Sequence, residues 1–310
     1  MTRRSDAPHF TDAIDRTMRI ETDHTTTYTY SEPVRLGPQT VRLRPRPGGP
    51  LSEIHYRLEV DPAPAVRLEC LDPAGNRVVR LQFTGETRHL CLTTHLVVET
   101  GSAAEYVPVV DAAHRRLPLS YPAAEADPLA PYLSGPPAPP VVTQLATRLQ
   151  ERAGGDLLAY LECLNQWIYA SIVREIRPTG APQTPAETLD RGRGACRDQT
   201  VLFVALCRAA GLAARFVSGY QDRSAMETDR RYLHAWPEVY LPGTGWYGYD
   251  PTRGIAVADG HLPLAAALDP AGTLPVEGSY FGTAESRMEF LLTIQTDAHQ
   301  AGATRTRSGA

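Results

Sequence analysis

The feature that most limits what this chain can fold into is a run of prolines in its middle. Between Tyr106 and Pro140 the sequence is Pro- and Ala-rich, ending in Ser134-Gly135-Pro136-Pro137-Ala138-Pro139-Pro140. Proline fixes φ and has no N–H to donate, so such a stretch is excluded from helix interiors and reads as a linker or surface strap. It separates two segments of different texture in a chain of 310 residues, long enough for more than one domain. From Met18 to Tyr106, runs such as RIETDHTTTYTY, IHYRLEVDPAP and LCLTTHLVVET set Thr, Tyr and Val against polar neighbours. That is the alternation of strands with one wet face. Asp72-Pro73-Ala74-Gly75-Asn76 is a hairpin-type turn between two such runs. Strands this short and regular predict an N-terminal all-β, sandwich-like domain over 18–106.

Beyond the strap the periodicity changes. VVTQLATRLQERAGG and DLLAYLECLNQWIYASIVREI predict two amphipathic helices. A loop then leads to CRDQTVLFVALCRAAGL, a long and almost wholly apolar helix stopped at Gly211. ARFVSGYQ, LHAWPEVYLPG, TGWYGYDPTRG and MEFLLTIQTD read as strands, the middle two joined at Pro242-Gly243-Thr244-Gly245. Helices followed by antiparallel strands predict an α+β domain over 141–296. Residues 107–140 are then the linker, 1–17 a disordered leader and 297–310 a disordered tail without apolar content.

Cys196 follows Gly194-Ala195 and opens the apolar helix. A thiol there meets the positive end of the helix dipole and unpaired backbone N–H groups, which favour thiolate and can hold an oxyanion. Gly194 leaves room for a substrate carbonyl to approach the backbone. A nucleophilic thiol also needs a base and a group to orient that base. His234 starts one predicted strand and Asp250 ends the next, so a hairpin brings imidazole and carboxylate together. Read singly, each is an ordinary structural residue; the Cys…His…Asp order on helix, strand and strand is what points to chemistry.

Secondary candidates have two readings each. Asp198 either caps the helix by accepting backbone N–H bonds or contacts a substrate amine. Trp236 either packs the hairpin or lines an acyl tunnel. Trp246 and Tyr249 read as sheet packing, Arg208 and Arg215 as ordinary charges, and His261 as a loop residue outside the chemistry. The charged stretch DRSAMETDRR just before His234 is a solvated loop or a specificity lid.

A net charge of −4 argues against a nucleic-acid or membrane-surface binder, which would carry a basic excess. No apolar run reaches the roughly 18 residues a bilayer span requires, and no signal-peptide core follows the charged start. A cytoplasmic location is the expectation. The five cysteines (Cys70, Cys91, Cys163, Cys196 and Cys207) form no C-x-x-C pair. Neither a disulfide framework nor a zinc site is expected, and the four besides Cys196 read as small buried residues.

The segments GACRDQTVLFVALCRAAGLAARFVSGY and LHAWPEVYLPGTGWYGYDPTRG, with their spacing, resemble the bacterial branch of the transglutaminase-like superfamily. HTTTYTYSEPV, LRPRP and DPAGNRV resemble the β-rich region that precedes the catalytic domain in those proteins, and the likeness spans roughly residues 18–296. It implies a papain-like core, with the helix-borne cysteine packed on an antiparallel sheet, and no metal or cofactor. By the same resemblance Cys196 is the nucleophile, His234 the base and Asp250 the orienting carboxylate. The implied chemistry passes an acyl group from a peptide or small-molecule donor through a thioester to an amine or to water. A peptidase or amidase is the alternative, and an inert binding module of the same fold a further one. The chain departs from the family where an aromatic commonly precedes the nucleophile: REIRPTGAPQTPAETL has none, and Trp167 and Tyr169 lie further back as remote substitutes.

Overall fold

The computed structural model describes residues 16–101, 106–177, 179–222, 231–258 and 260–300. The expected leader and tail lie largely outside these residues, as does most of the charged stretch before His234.

The N-terminal unit is organised by one strand, β1 (Arg16–Val41), of 26 residues. Its companions are β2 (Leu51–Asp61), β3 (Val66–Leu71), β4 (Arg77–Gln82) and β5 (Thr87–Thr100). The first part of β1 pairs with β5, which pairs in turn with β2. The last part pairs with β4, and β4 with β3. The register against β5 shifts between Thr29 and Val34. Pro33 lies in that interval, and a residue with no N–H interrupts the ladder where the strand passes from one sheet to the other. The inward faces meet in a core that includes Leu43, Leu81, Leu90, Leu92 and Leu96, all at most 1% exposed.

The strap is not a bare linker. It carries α1 (Ala123–Leu133) with Pro128 and Pro131 inside the helix. Tertiary contacts hold this region. The Tyr121 hydroxyl donates to the Tyr240 carbonyl and accepts from the Ala213 N–H, Arg208 donates to the Tyr132 carbonyl, and Leu129 is buried. Proline disfavours a helix interior, but the intrinsic preference is overridden where a helix is packed on a core.

The second unit contains α2 (Pro140–Arg152), α3 (Leu157–Ser171), β6 (Val173–Arg174), α4 (Pro185–Arg191), β7 (Arg193–Gly194) and α5 (Cys196–Ala209). Strands β8 (Ala214–Gln221), β9 (His234–Leu241), β10 (Gly245–Asp250), β11 (Ile255–Ala256) and β12 (His261–Ala267) follow. They form an antiparallel sheet in the order β11-β10-β9-β8-β12. Leu202, Phe203 and Leu206 of α5 share a core with Val239 and Leu241 of β9 and with α2 and α3. The register sets Val217 opposite Trp236, Gly219 opposite His234, Gly248 opposite Glu238 and His261 opposite Gln221. By the two-residue pleat, His234, Trp236, Asp250, Gln221 and His261 therefore share the face opposite Val239 and Leu241. The structure is α+β: a helix that begins at Cys196 packed on an antiparallel sheet, behind an N-terminal β-sandwich, as the resemblance implied.

The last described strands are β13 (Val276–Phe281) and β14 (Ser286–Gln300), and both pair with β1. The last strand, grouped by its position in the sequence with the 141–296 domain, lies instead in the sandwich. Strand alternation reveals a wet and a dry face but not which sheet receives the strand. Tyr220, Leu262 and Leu264 of the second unit join the sandwich core, so the two units share buried surface. No helix among the described residues is long and apolar enough to cross a membrane.

Asn76, from the predicted hairpin turn, also ties the units together. Its Oδ1 accepts from the Ala266 N–H at 2.8 Å and its Nδ2 donates to the Ala266 carbonyl at 3.0 Å, fully buried. Asn76→Ala strands both backbone groups and is expected to cost roughly 2–4 kcal/mol in denaturant unfolding.

Candidate active site

Cys196 is the first residue of α5 and, partly exposed as a residue, it lines a cavity. The loop before it is locked by Asp198. That carboxylate is wholly buried and accepts from the Ala195 N–H (2.7 Å), the Gln183 N–H (2.8 Å) and Arg177 (2.6 Å). Of its two readings the structure assigns the cap, and Asp198 does not line the cavity. It also explains Gly194 differently from the sequence. A Cβ there would sit 2.9 Å from the Asp198 Cβ, so the glycine makes room for the cap rather than for a substrate carbonyl. The parallel pairing of β6 with β7 sets Arg174 beside Gly194 and near the thiol.

His234 Nε2 lies 2.9 Å from Asp250 Oδ2, and the same imidazole and the Ala235 amide are near enough to the Cys196 thiol to act on its ionisation. With Nε2 committed to the carboxylate, Nδ1 is the ring nitrogen left for sulfur. Burial by itself pushes the Cys196 thiol up, but His234, the Ala235 amide and Arg174 outweigh it and the net direction is down. Burial likewise opposes protonation of His234, and the Asp250 carboxylate and Cys196 overcome it, raising the imidazole to about 10. Asp250 is held well below the usual carboxylate range, against its own burial, by His234 and His261. The directions of these shifts all favour a thiolate–imidazolium pair backed by a carboxylate over a neutral thiol and imidazole.

Asp250 gathers more partners than the sequence suggested. Oδ1 accepts from the Thr252 hydroxyl (2.6 Å) and amide (3.1 Å), and Oδ2 from Gln221 Nε2 (2.6 Å). His261 Nε2 lies 3.1 Å from the same oxygen. His261 is thus not a loop residue: it opens β12, pairs with Gln221 and is buried. Its contact with Asp250 follows from strand register, which local sequence does not display. Potential ligand atoms of His234, Asp250 and His261 lie within 4.8 Å of one another, a spacing that suits a divalent ion, but here they are engaged with each other by hydrogen bonds.

The cavity over Cys196 has a volume of about 460 Å³. One side is formed by Arg174, Ile176 and Arg197, and the other by the sandwich, through Tyr28, Met288 and Phe290. His24 of β1 also lines it, bonded to the Tyr220 hydroxyl at 2.9 Å, and burial lowers its imidazole to about 4. Trp236 is fully buried and packs on His234 and His261 instead of lining this cavity. Neither Trp167 nor Tyr169 reaches it: Trp167 packs on the helical core and Tyr169 lies against Gly254. Arg215 is not an ordinary surface charge, being buried, paired with Glu238 and stacked over Trp246. Cys207 is buried, whereas Cys70, Cys91 and Cys163 are only partly so, short of the full burial expected of them.

Residues 143–251 match the family model of the transglutaminase-like superfamily, and residues 20–99 that of the bacterial transglutaminase-like N-terminal region. The chain belongs to the transglutaminase-like superfamily. An uncharacterized protein of Mycobacterium tuberculosis is 27% identical over 285 residues, spanning 87% of this chain and 90% of that protein. A protein-glutamine gamma-glutamyltransferase of Pseudomonas aeruginosa is 33% identical over 84 residues, 25% of this chain and 13% of that protein. A crystal structure described as a candidate cysteine protease from Cytophaga hutchinsonii superposes with a TM-score of 0.65 at 21% identity, covering 93% of each chain. That likeness establishes the fold. Membership of the superfamily supports cysteine-dependent catalysis in general.

The lowered thiol gives a direct expectation. Iodoacetamide labelling of Cys196, followed by intact mass, should fall less than about twofold between about pH 8 and about pH 7, where an ordinary thiol slows several-fold. His234→Ala should restore the ordinary dependence and slow labelling roughly 10-fold near pH 7, with Cys196→Ala as the control.

Proposed function

We propose that the protein transfers an acyl group through a thioester on Cys196, from an amide or ester donor to an amine. The observation that carries this reading is the thiol at the start of α5 beside a His234 whose Nε2 is held by buried Asp250. In the first half, the thiolate attacks the donor carbonyl carbon and the negative charge moves to its oxygen. The Cys196 N–H, in the first turn of the helix, is placed to receive that oxygen. As the tetrahedral species collapses, the carbon–nitrogen bond of an amide donor breaks and His234 gives its proton to the departing amine. In the second half, neutral His234 takes a proton from the acceptor amine as its nitrogen attacks the thioester. Sulfur then leaves as thiolate, and the imidazolium pair is restored.

The sandwich wall supports transfer over hydrolysis, since Tyr28, Met288 and Phe290 cover the thioester with apolar surface and favour an acceptor other than water. Activity falls on the acid side as the thiolate takes up a proton, below the ordinary thiol range. On the basic side it falls as His234 loses its proton, near 10.

A glutamine-containing peptide incubated with a labelled primary amine tests the reading. Label incorporation should occur with the native chain, vanish in Cys196→Ala, and slow by roughly 10²- to 10⁴-fold in Asp250→Asn. Ammonia or peptide release without incorporation, dependent on Cys196, would instead establish hydrolysis.

A further inference from the structure

Acylation of Cys196 needs more than one donor for the charge it creates. When the thiolate adds to a carbonyl, charge moves to oxygen, and preorganised donors aimed at that oxygen supply much of the stabilisation. The Cys196 N–H is one such donor. The neighbouring Ala195 N–H is spent on Asp198 at 2.7 Å. The stretch before the nucleophile holds no aromatic side chain, and neither Trp167 nor Tyr169 reaches the cavity.

Several polar groups on the cavity wall are committed elsewhere. Gln221 Nε2 lies 2.6 Å from Asp250 Oδ2, and the two ring nitrogens of His24 meet the Tyr220 and Thr26 hydroxyls. Arg197 donates to the carbonyls of Arg177 and Thr179 at 2.6 and 2.7 Å, and Arg177 donates to Asp198 at 2.6 Å. The tyrosine hydroxyls belong to the sandwich side, Tyr28 on β1 and Tyr232 with its ring against Phe290. Arg174 is placed differently. It is half-buried, lines the cavity, and sits on a strand pinned to the loop before the nucleophile. The Val173 N–H donates to the Gly192 carbonyl at 2.9 Å and the Glu175 N–H to the Gly194 carbonyl at 3.1 Å. That pairing sets Arg174 opposite Gly194, two residues before the thiol. A guanidinium presents five N–H groups and always carries charge. Its charge already reaches the sulfur: after His234, Arg174 is the charged side chain that does most to pull the thiol down. Glu175, next to it on the cavity wall, can only accept when ionised and cannot take this part.

We propose that Arg174 is a catalytic residue that donates, together with the Cys196 N–H, to the oxyanion formed as Cys196 is acylated. The inference rests on acylation of Cys196 and is the same whether an amine or water then accepts the acyl group. As the carbon–sulfur bond forms from the thiolate pair, the carbonyl π pair moves to oxygen, where the guanidinium and the backbone N–H meet the charge. On collapse that pair re-forms the carbonyl, and the leaving group departs with the electrons of the bond that breaks. The cation acts first on sulfur and then on oxygen, as negative charge passes from one to the other.

Two reagents separate those actions. Acetylation by p-nitrophenyl acetate passes through an oxyanion and expels nitrophenolate without a proton, whereas alkylation by iodoacetamide forms no oxyanion. Both rates are measured on the full chain at about pH 9, where the lowered thiol is largely ionised. Cys196→Ala gives the background, and intact mass locates the acetyl group. Arg174→Gln should slow acetylation roughly 10²-fold while alkylation changes less than about threefold. Arg174→Lys should recover part of the acetylation rate, since it keeps a cation but not the planar fork. Arg174→Met is a second neutral variant that keeps the apolar stem, circular dichroism verifies each fold, and the alkylation rate reports an intact site. Equal acetylation of the native chain and folded Arg174→Gln would overturn the assignment and leave acylation of Cys196 standing. Equal losses of acetylation and alkylation would overturn it as well, by confining Arg174 to the thiolate. A native chain alkylated but never acetylated at Cys196 would overturn the acyl reading, and this inference with it.

Discussion

A carboxylate with no solvent exposure sits at the end of β10, and the arrangement of the second unit is organised around keeping it charged. Asp250 would be costly to bury without donors, and it is surrounded by them: His234 from β9, Gln221 from β8, and Thr252 from its own turn, with His261 of β12 against the same oxygen. Four strands therefore converge on one side chain. The same carboxylate raises the imidazole and, through it, draws the thiol down, so the reactivity at α5 is set on the sheet. The glycine at 219 belongs to this constraint. A Cβ there would collide with the Leu262 carbonyl and lie 2.5 Å from Trp236, so its absence lets the strands close beneath the indole.

The sandwich takes part in the site. Because β13 and β14 return to β1, the first and last described strands are held in one sheet system that is pressed against β8 and β12. Tyr220 is the clearest joint, with its ring in the shared core and its hydroxyl on His24. As a result the nucleophile faces a wall made by another unit, and the shape of the acyl site depends on how the two units pack. Asn76, bonded to both β12 and Arg46, brings the sandwich against the edge of the same sheet.

Much of this was legible in the residues. The period of the apolar pattern separated a β-rich segment from helices and a following sheet. Gly-Ala-Cys at the head of an apolar helix, with His234 and Asp250 on adjoining strands, picked out three residues that the structure brings together. What eluded the sequence was pairing over long distances. His261 and Gln221 are 40 residues apart and touch because β12 lies beside β8. The two readings open for Asp198 were separated by its burial, since a carboxylate with no solvent exposure, bonded to Ala195, Gln183 and Arg177, caps the helix and does not line the cavity. Proline content likewise described local preference in the strap, and packing overruled it at Pro128 and Pro131.

Sequence by itself determined the local chemistry: which residue starts the helix, which segments alternate as strands, where the turns fall, and the order Cys196, His234, Asp250. These follow from forces acting over a few residues, namely backbone sterics, capping and the period of apolar side chains. Tertiary structure alone decided that the last strand joins the first, that the sandwich walls the thiol, and that a second histidine meets the buried carboxylate. Those outcomes depend on strand register and on the burial of charge, which arise only when distant segments share one core.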